Sequence, residues 1–241
     1  EMAPWSTETF LGKVEGASDR EVSNMYKYFV AMEILKRGYG VLSYDLDVLF
    51  LKDPWPRLSS EAVDIFVSTD GPTEQMASGM HQHKALEHTW VRTSINAGVW
   101  FARATPAALA LFERLTDYMR LSAKTGNGQT TRPGSRQALL TEKSLKHVDV
   151  RPAYFFEQAQ FGTILMQLRT SLLKMPVHHD VRFKILPHRE FMNSKTPVHN
   201  TDHVCEAVTV HSNYGCPYDM ASLTKTDWLR SIQRKCKPSD C

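Results

Sequence analysis

The sequence predicts an α/β fold, a single domain with a mostly parallel central sheet. Two observations carry this: short apolar runs bounded by Gly, Pro and Asp alternate with longer segments of helical periodicity, and no internal repeat or linker divides the 241 residues. Residues 18–36 read as a helix. Ser18 with Glu21 three later fits a capping box, and Val22, Met25, Tyr26, Phe29 and Ile34 follow helical spacing up to Gly38. Val41 to Tyr44 is a strand that runs through Asp45-Leu46-Asp47 into Val48 to Leu51, until Asp53-Pro54-Trp55-Pro56 breaks it. Val63 to Ser68 is the next strand. Thr69 to Thr93, rich in Gly, Met and His without periodicity, reads as a long loop. Ile95 to Ala102 is again a strand, and Thr105-Pro106 opens a helix to Ser122 with Leu109, Phe112, Leu115 and Met119 on one face. After a Gly-rich connection at 124–134, helices are expected at 135–145, 158–173 and 222–233, and strands at 148–150, 183–186 and 207–210.

Composition narrows the function. With 42% hydrophobic and 23% charged residues the chain is an ordinary folded protein, large enough to build a core without metal or disulfide support. Its net charge of +3 and the lack of a Lys/Arg block argue against nucleic acid; Arg230 to Lys237 reads as a solvated helix end. No run of 18 apolar residues spans a membrane. Cys205, Cys216, Cys236 and Cys241 are separated by ten, nineteen and four residues, which matches no zinc-site spacing. Two disulfides in an oxidising compartment, or free thiols, remain open; no Asn-x-Ser/Thr acceptor adds support for secretion.

Asp45-Leu46-Asp47 carries the most chemistry. Residues two apart on a strand point the same way, so both carboxylates reach one site. A hard divalent ion such as Mn²⁺ or Mg²⁺ removes the cost of holding two acids together, and it normally shares its coordination with substrate phosphates. A solvated turn is the competing reading of such a pair.

The run Gly38-Tyr39-Gly40-Val41-Leu42-Ser43-Tyr44-Asp45-Leu46-Asp47-Val48-Leu49-Phe50-Leu51-Lys52-Asp53-Pro54 resembles the core motif of nucleotide-diphospho-sugar transferase domains of glycosyltransferase family 77. Ser94 to Pro106, with Asn96 and Gly98, is similar to that family's Asn-x-Gly strand and following helix. Glu157-Gln158 stands where the family has Asp-Gln, and His211-Ser212-Asn213-Tyr214-Gly215 resembles its closing His-x-Asn segment. The resemblance covers roughly residues 20–230. It implies a GT-A fold, a Rossmann-like single domain at 18–235, between an irregular segment at 1–17 and a Cys-containing tail at 236–241. It further implies transfer of a sugar from a nucleotide donor, a UDP-sugar, to a hydroxyl of a glycan or glycoprotein, with retention of configuration, in the Golgi lumen.

By position, the resemblance makes Asp47, Asp45 and His211 the metal ligands, with Asp45 also near the donor ribose. Asn96 and Gly98 would line the donor-sugar pocket, Gly98 because a side chain there would obstruct close approach; a strand-edge amide satisfying backbone is the other reading of Asn96. Glu157 and Gln158 would flank the sugar or the acceptor hydroxyl, with Glu157 one methylene longer than the family's Asp. Lys225 would meet the diphosphate, or be a surface lysine. A GT-A domain opens with a strand and helix for the nucleotide base, and residues 1–17 hold no apolar strand, so the first βα unit is expected to be missing. A catalytically inactive relative that binds glycans or a partner enzyme is therefore the alternative. A phosphate-cleaving metalloenzyme is weaker, since no second ligand set is visible. His81, His83 and His88, and His178-His179-Asp180, read as loop residues. Gly126-x-Gly128 lacks the context of a dinucleotide fingerprint, and Trp55, Trp90, Trp100 and Trp228 read as core or acceptor-groove aromatics.

Overall fold

In a computed structural model the described residues are 19–70, 95–124, 158, 161–162, 164–165, 181–194, 201–213 and 224–236. The expected elements at 135–145 and 148–150, the histidines between 81 and 88 and at 178–179, and Glu157 lie outside them, as do Cys216 and Cys241. The chain divides into two compact units, residues 1–41 with 103–182, and residues 42–102 with 183–241.

The first unit is built on two long helices, α1 (Asp19–Lys36) and α3 (Pro106–Lys124). Helix α1 buries Met25, Tyr28, Phe29, Met32 and Leu35 on one stripe, and α3 buries Ala108, Leu111, Phe112, Leu115 and Met119. The two stripes pack together. Tyr28 stands 5.4 Å from the ring of Phe161 and 6.3 Å from that of Phe112, in tilted arrangements. Helix α1 ends as its sequence requires: Gly38 takes φ +84°, its N–H donates to Leu35 O, and Tyr39 N–H reaches back to Ile34 O. At the start of α3, Thr105 Oγ1 accepts from Ala108 N–H at 3.2 Å, next to the expected proline.

The second unit contains two small sheets. One has the order β1 (Val41–Tyr44), β4 (Ile95–Ala102), β3 (Ile65–Thr69), β5 (Phe183–Ile185); the other has the order β2 (Val48–Phe50), β7 (Thr209–His211), β6 (Phe191–Asn193). The α/β class holds, but the sheet is mixed and not mostly parallel. β3 pairs antiparallel with β4 and parallel with β5, while β7 pairs antiparallel with β2 and parallel with β6. A parallel pair needs a crossover, usually helical; residues 70–94, which join β3 to β4, carry no helical periodicity, and the pair they join is antiparallel. Strand β4 is buried along its whole length, in keeping with its mainly apolar sequence around the buried Asn96.

Two apolar clusters support the unit. Leu58, Phe66, Val99, Phe101, Leu186, Phe191 and Val208 form one. The other joins Met192, Val204, Ala207 and Val210 to Trp228 and Ile232 of α4 (Lys225–Lys235). A disulfide between Cys205, in a 3₁₀ turn at Thr201–Glu206, and Cys236 ties down the end of α4. The expected pairing of cysteines in this segment is thus present for these two. A short helix, α2 (Trp55–Ser59), follows Pro54, where the sequence suggests only a break. Among the described residues no helix is long and apolar enough to cross a membrane.

Candidate metal centre

The acidic pair does not continue a strand. Strand β1 ends at Tyr44, and Asp45-Leu46-Asp47 is a turn, closed by Val48 N–H donating to Asp45 O at 3.2 Å, with Leu46 fully exposed at its tip. The carboxylates converge because both ends of the turn are pinned. Asp45 N–H donates to Gly98 O of β4 at 2.8 Å, and Asp47 O accepts from Ser212 N–H at 2.9 Å. The β2–β7 register, which pairs Val48 with His211, then places the histidine beside the residue that precedes Val48.

His211 Nε2 lies 3.1 Å from Asp47 Oδ1 and 3.8 Å from Asp45 Oδ2. One donor atom from each of the three residues falls within 4.8 Å of the others. Side-chain exposure rises from 5% at His211 through 28% at Asp47 to 41% at Asp45, so the cluster has a closed floor and an open top. Lys225, the first residue of α4, donates from Nζ to Asp47 Oδ2 at 2.7 Å and to Asn213 O at 3.3 Å. The hydrogen bond from His211 holds the Asp47 carboxyl well below the usual carboxylate range; partial burial opposes this, and the Lys225 ammonium adds to it.

The donor set fits a divalent ion of hard or borderline character. Two carboxylates and one imidazole suit Mn²⁺ or Mg²⁺ better than a soft metal, and the open side leaves coordination positions for phosphate or water. The imidazole is clamped. A Cβ built on Gly98 would lie 2.0 Å from His211 Cε1, 2.6 Å from its Nδ1 and 2.8 Å from Asn96 Oδ1. Gly98 therefore makes room for the His211 ring, a reason the sequence did not reveal. The Nδ1 atom itself is buried with no hydrogen-bond partner among the described residues.

Beside the cluster lies a set of amides, with Asn96 and Asn193 buried and Asn213 half-buried. Asn96 Oδ1 accepts from Gly98 N–H at 2.7 Å and from Ser68 Oγ at 3.3 Å, while its Nδ2 donates to Asp70 Oδ1 at 2.7 Å. The same carboxylate oxygen accepts from Asn213 Nδ2 at 2.6 Å, and Asn213 Oδ1 accepts from Ser194 Oγ at 2.9 Å. Asn193 Nδ2 donates to Thr69 O. A register shift between Val67 and Ser68 opens β3 opposite Asn96 and aims these groups together. Asp70, Asn193 and Asn213 were not singled out as functional residues from sequence. Asn213 stands in the quoted His-x-Asn segment, which was its signal; Asp70 stands at the start of the expected loop and had none.

Of the residues expected in the site, Asp45, Asp47, Asn96, Gly98, His211 and Lys225 come together in the second unit. Gln158 is a buried helical residue of the first unit, and Glu157 lies outside the described residues.

The sequence profile of the nucleotide-diphospho-sugar transferases matches residues 13–222. Two characterised proteins of Arabidopsis thaliana are similar over part of the chain. Arabinosyltransferase RRA1 is 31% identical over 123 residues, which is 46% of this chain and 29% of the relative. Arabinosyltransferase RRA2 is 28% identical over 104 residues, 40% of this chain and 24% of the relative. The matched stretch thus spans less than a third of either relative.

Proposed function

Since the chain belongs to the nucleotide-diphospho-sugar transferase family, we propose that it is a metal-dependent glycosyltransferase. Its donor is a UDP-sugar, and its acceptor is a hydroxyl of a glycan or glycoprotein of the secretory pathway. The relatives named as arabinosyltransferases favour a pentose donor, and the family resemblance favours a cell-wall glycan as acceptor. The observation that carries the reading is the convergence of Asp45, Asp47 and His211 on one point, with Lys225 beside them. Residues 18–235 form the transferring domain, with configuration retained at the anomeric carbon and the Golgi lumen as the compartment; these follow from the family resemblance.

In the reaction the bond between the anomeric carbon and the diphosphate oxygen breaks, and the nucleoside diphosphate leaves with the electron pair. The acceptor oxygen forms the new bond and gives up its proton. A divalent ion at Asp45, Asp47 and His211 would supply positive charge to offset the charge gathering on the leaving diphosphate. Asp45, Asp47 and His211 hold that ion, and Lys225 adds a point charge on the diphosphate side. Asn96 and Gly98 fix the floor of the donor site through the bonds described above, so their role is to position. Glu157 and Gln158 are assigned to the sugar and the acceptor hydroxyl, where a carboxylate orients or deprotonates it.

The test is release of nucleoside diphosphate from a panel of UDP-sugars in Mn²⁺, with and without hydroxyl acceptors. Turnover with one donor that stops with chelator and in Asp47→Ala supports the reading. Turnover indifferent to chelator overturns metal dependence. Absence of turnover with every donor, on this chain and on one extended at its N-terminus, favours an inactive relative that binds glycans or a partner enzyme.

A further inference from the structure

Lys225 is placed for the acidic pair and not for its own helix. It is the first residue of α4, behind the N-cap Thr224, whose Oγ1 accepts from Asp227 N–H at 3.1 Å. A cation in the first turn opposes the positive end of the helix dipole, so the helix alone disfavours lysine here. The ammonium is instead held by Asp47 Oδ2 and Asn213 O. The helix that carries it is anchored, and the ammonium is open to solvent. Trp228 and Ile232 bury α4 against the second sheet and Cys236 is bonded to Cys205, while the Lys225 side chain remains 44% exposed.

Asp47 therefore carries a donor on each oxygen, His211 on Oδ1 and Lys225 on Oδ2. An incoming divalent ion meets a carboxylate already neutralised by an ammonium, and the two like charges repel. We propose that Lys225 is the resident counter-cation of this site. It competes with the divalent ion for Asp47 until a nucleoside diphosphate draws the ammonium onto its phosphates. This rests on the metal and nucleotide reading above and adds a regulation to it. Ion and nucleotide bind as a coupled pair, each strengthening the other by the same factor, and the ion alone binds weakly. The consequence is a change of sign. Without nucleotide Lys225 weakens ion binding; with nucleotide it strengthens it.

The experiment is a titration with Mn²⁺ alone, read from the EPR signal of the free ion, on the 241-residue chain and on Lys225→Met and Lys225→Arg, then repeated with UDP. For a half-exposed ion pair the expected effect is about two- to fivefold tighter Mn²⁺ binding by Lys225→Met in the absence of UDP. Lys225→Arg, which keeps the charge, stays near wild type. With UDP present the order of wild type and Lys225→Met reverses. Equal or weaker Mn²⁺ binding by Lys225→Met without UDP overturns the inference while leaving the metal site intact. A wild-type chain that binds no Mn²⁺ with or without UDP overturns the inference and the proposed function together.

Discussion

Replacing Gly98 by alanine isolates what the clamp around His211 contributes. The new Cβ would stand 2.0 Å from His211 Cε1. Carbon atoms rest about 3.5–4.0 Å apart, so the ring must retreat by about 1.5 Å, since the glycine backbone is held by Asp45 N–H and by Asn96 Oδ1. A retreat of that size takes Nε2 out of hydrogen-bond range of Asp47 Oδ1, now at 3.1 Å. The overpacked site costs about 1–3 kcal/mol of stability. Loss of the aligned ligand weakens Mn²⁺ binding about 10- to 100-fold, in the range seen when the support of a metal ligand is removed. Chemical denaturation and Mn²⁺ titration read the two effects separately. A double-mutant cycle identifies the cause. In a His211→Ala background most of the stability cost of Gly98→Ala disappears, because the nearest atoms are gone and Asn96 Oδ1 at 2.8 Å remains the tight contact. A Gly98→Ala protein with wild-type stability and wild-type Mn²⁺ affinity would show that Gly98 does not clamp His211.

Asp70→Ala removes the acceptor shared by the Asn96 and Asn213 amides, so it should cost about 2–4 kcal/mol by leaving two donors unpaired, read in urea unfolding. Breaking the Cys205–Cys236 bond, which closes a sequence separation of 31, should cost about 3–4 kcal/mol in the loop-closure view, measured as a lower midpoint in denaturant after reduction. The depressed Asp47 carboxyl contributes stability that is full above the unfolded Asp value near pH 4 and is lost as pH falls below it. Asp47→Asn should flatten the acid limb of a metal-free stability–pH profile relative to wild type.

The legible part of the site was its chemistry, and the illegible part was its support. Asp45 and Asp47 could be picked out because two acids after an apolar strand are an unusual residue choice, and His211 through the family resemblance of its His-x-Asn segment. The turn that brings the acids together was only the competing reading, since Val41 to Leu51 reads as one interrupted strand; the bond from Val48 N–H to Asp45 O and the long-range bonds to Gly98 and Ser212 bend it. The same long-range pairing hid the role of Gly98, whose neighbour in space is 113 residues away in sequence. Local periodicity found α1 and α3 because each helix carries its own buried stripe. It missed β6, three residues whose strand character comes from pairing with β7, and with it Asn193. Strand direction was misjudged for a related reason: alternation of strands and helices suggests crossovers, but the β3–β4 pairing is a contact between distant segments that local spacing does not encode.

Asp45, Asp47 and His211 are proposed to hold a divalent ion for a nucleoside diphosphate. Calorimetric titration of UDP into the chain with Mn²⁺, with EDTA, and with His211→Ala in Mn²⁺ tests it most directly. Binding is expected in Mn²⁺ and is lost in the other two conditions. UDP binding of equal strength in all three would contradict it.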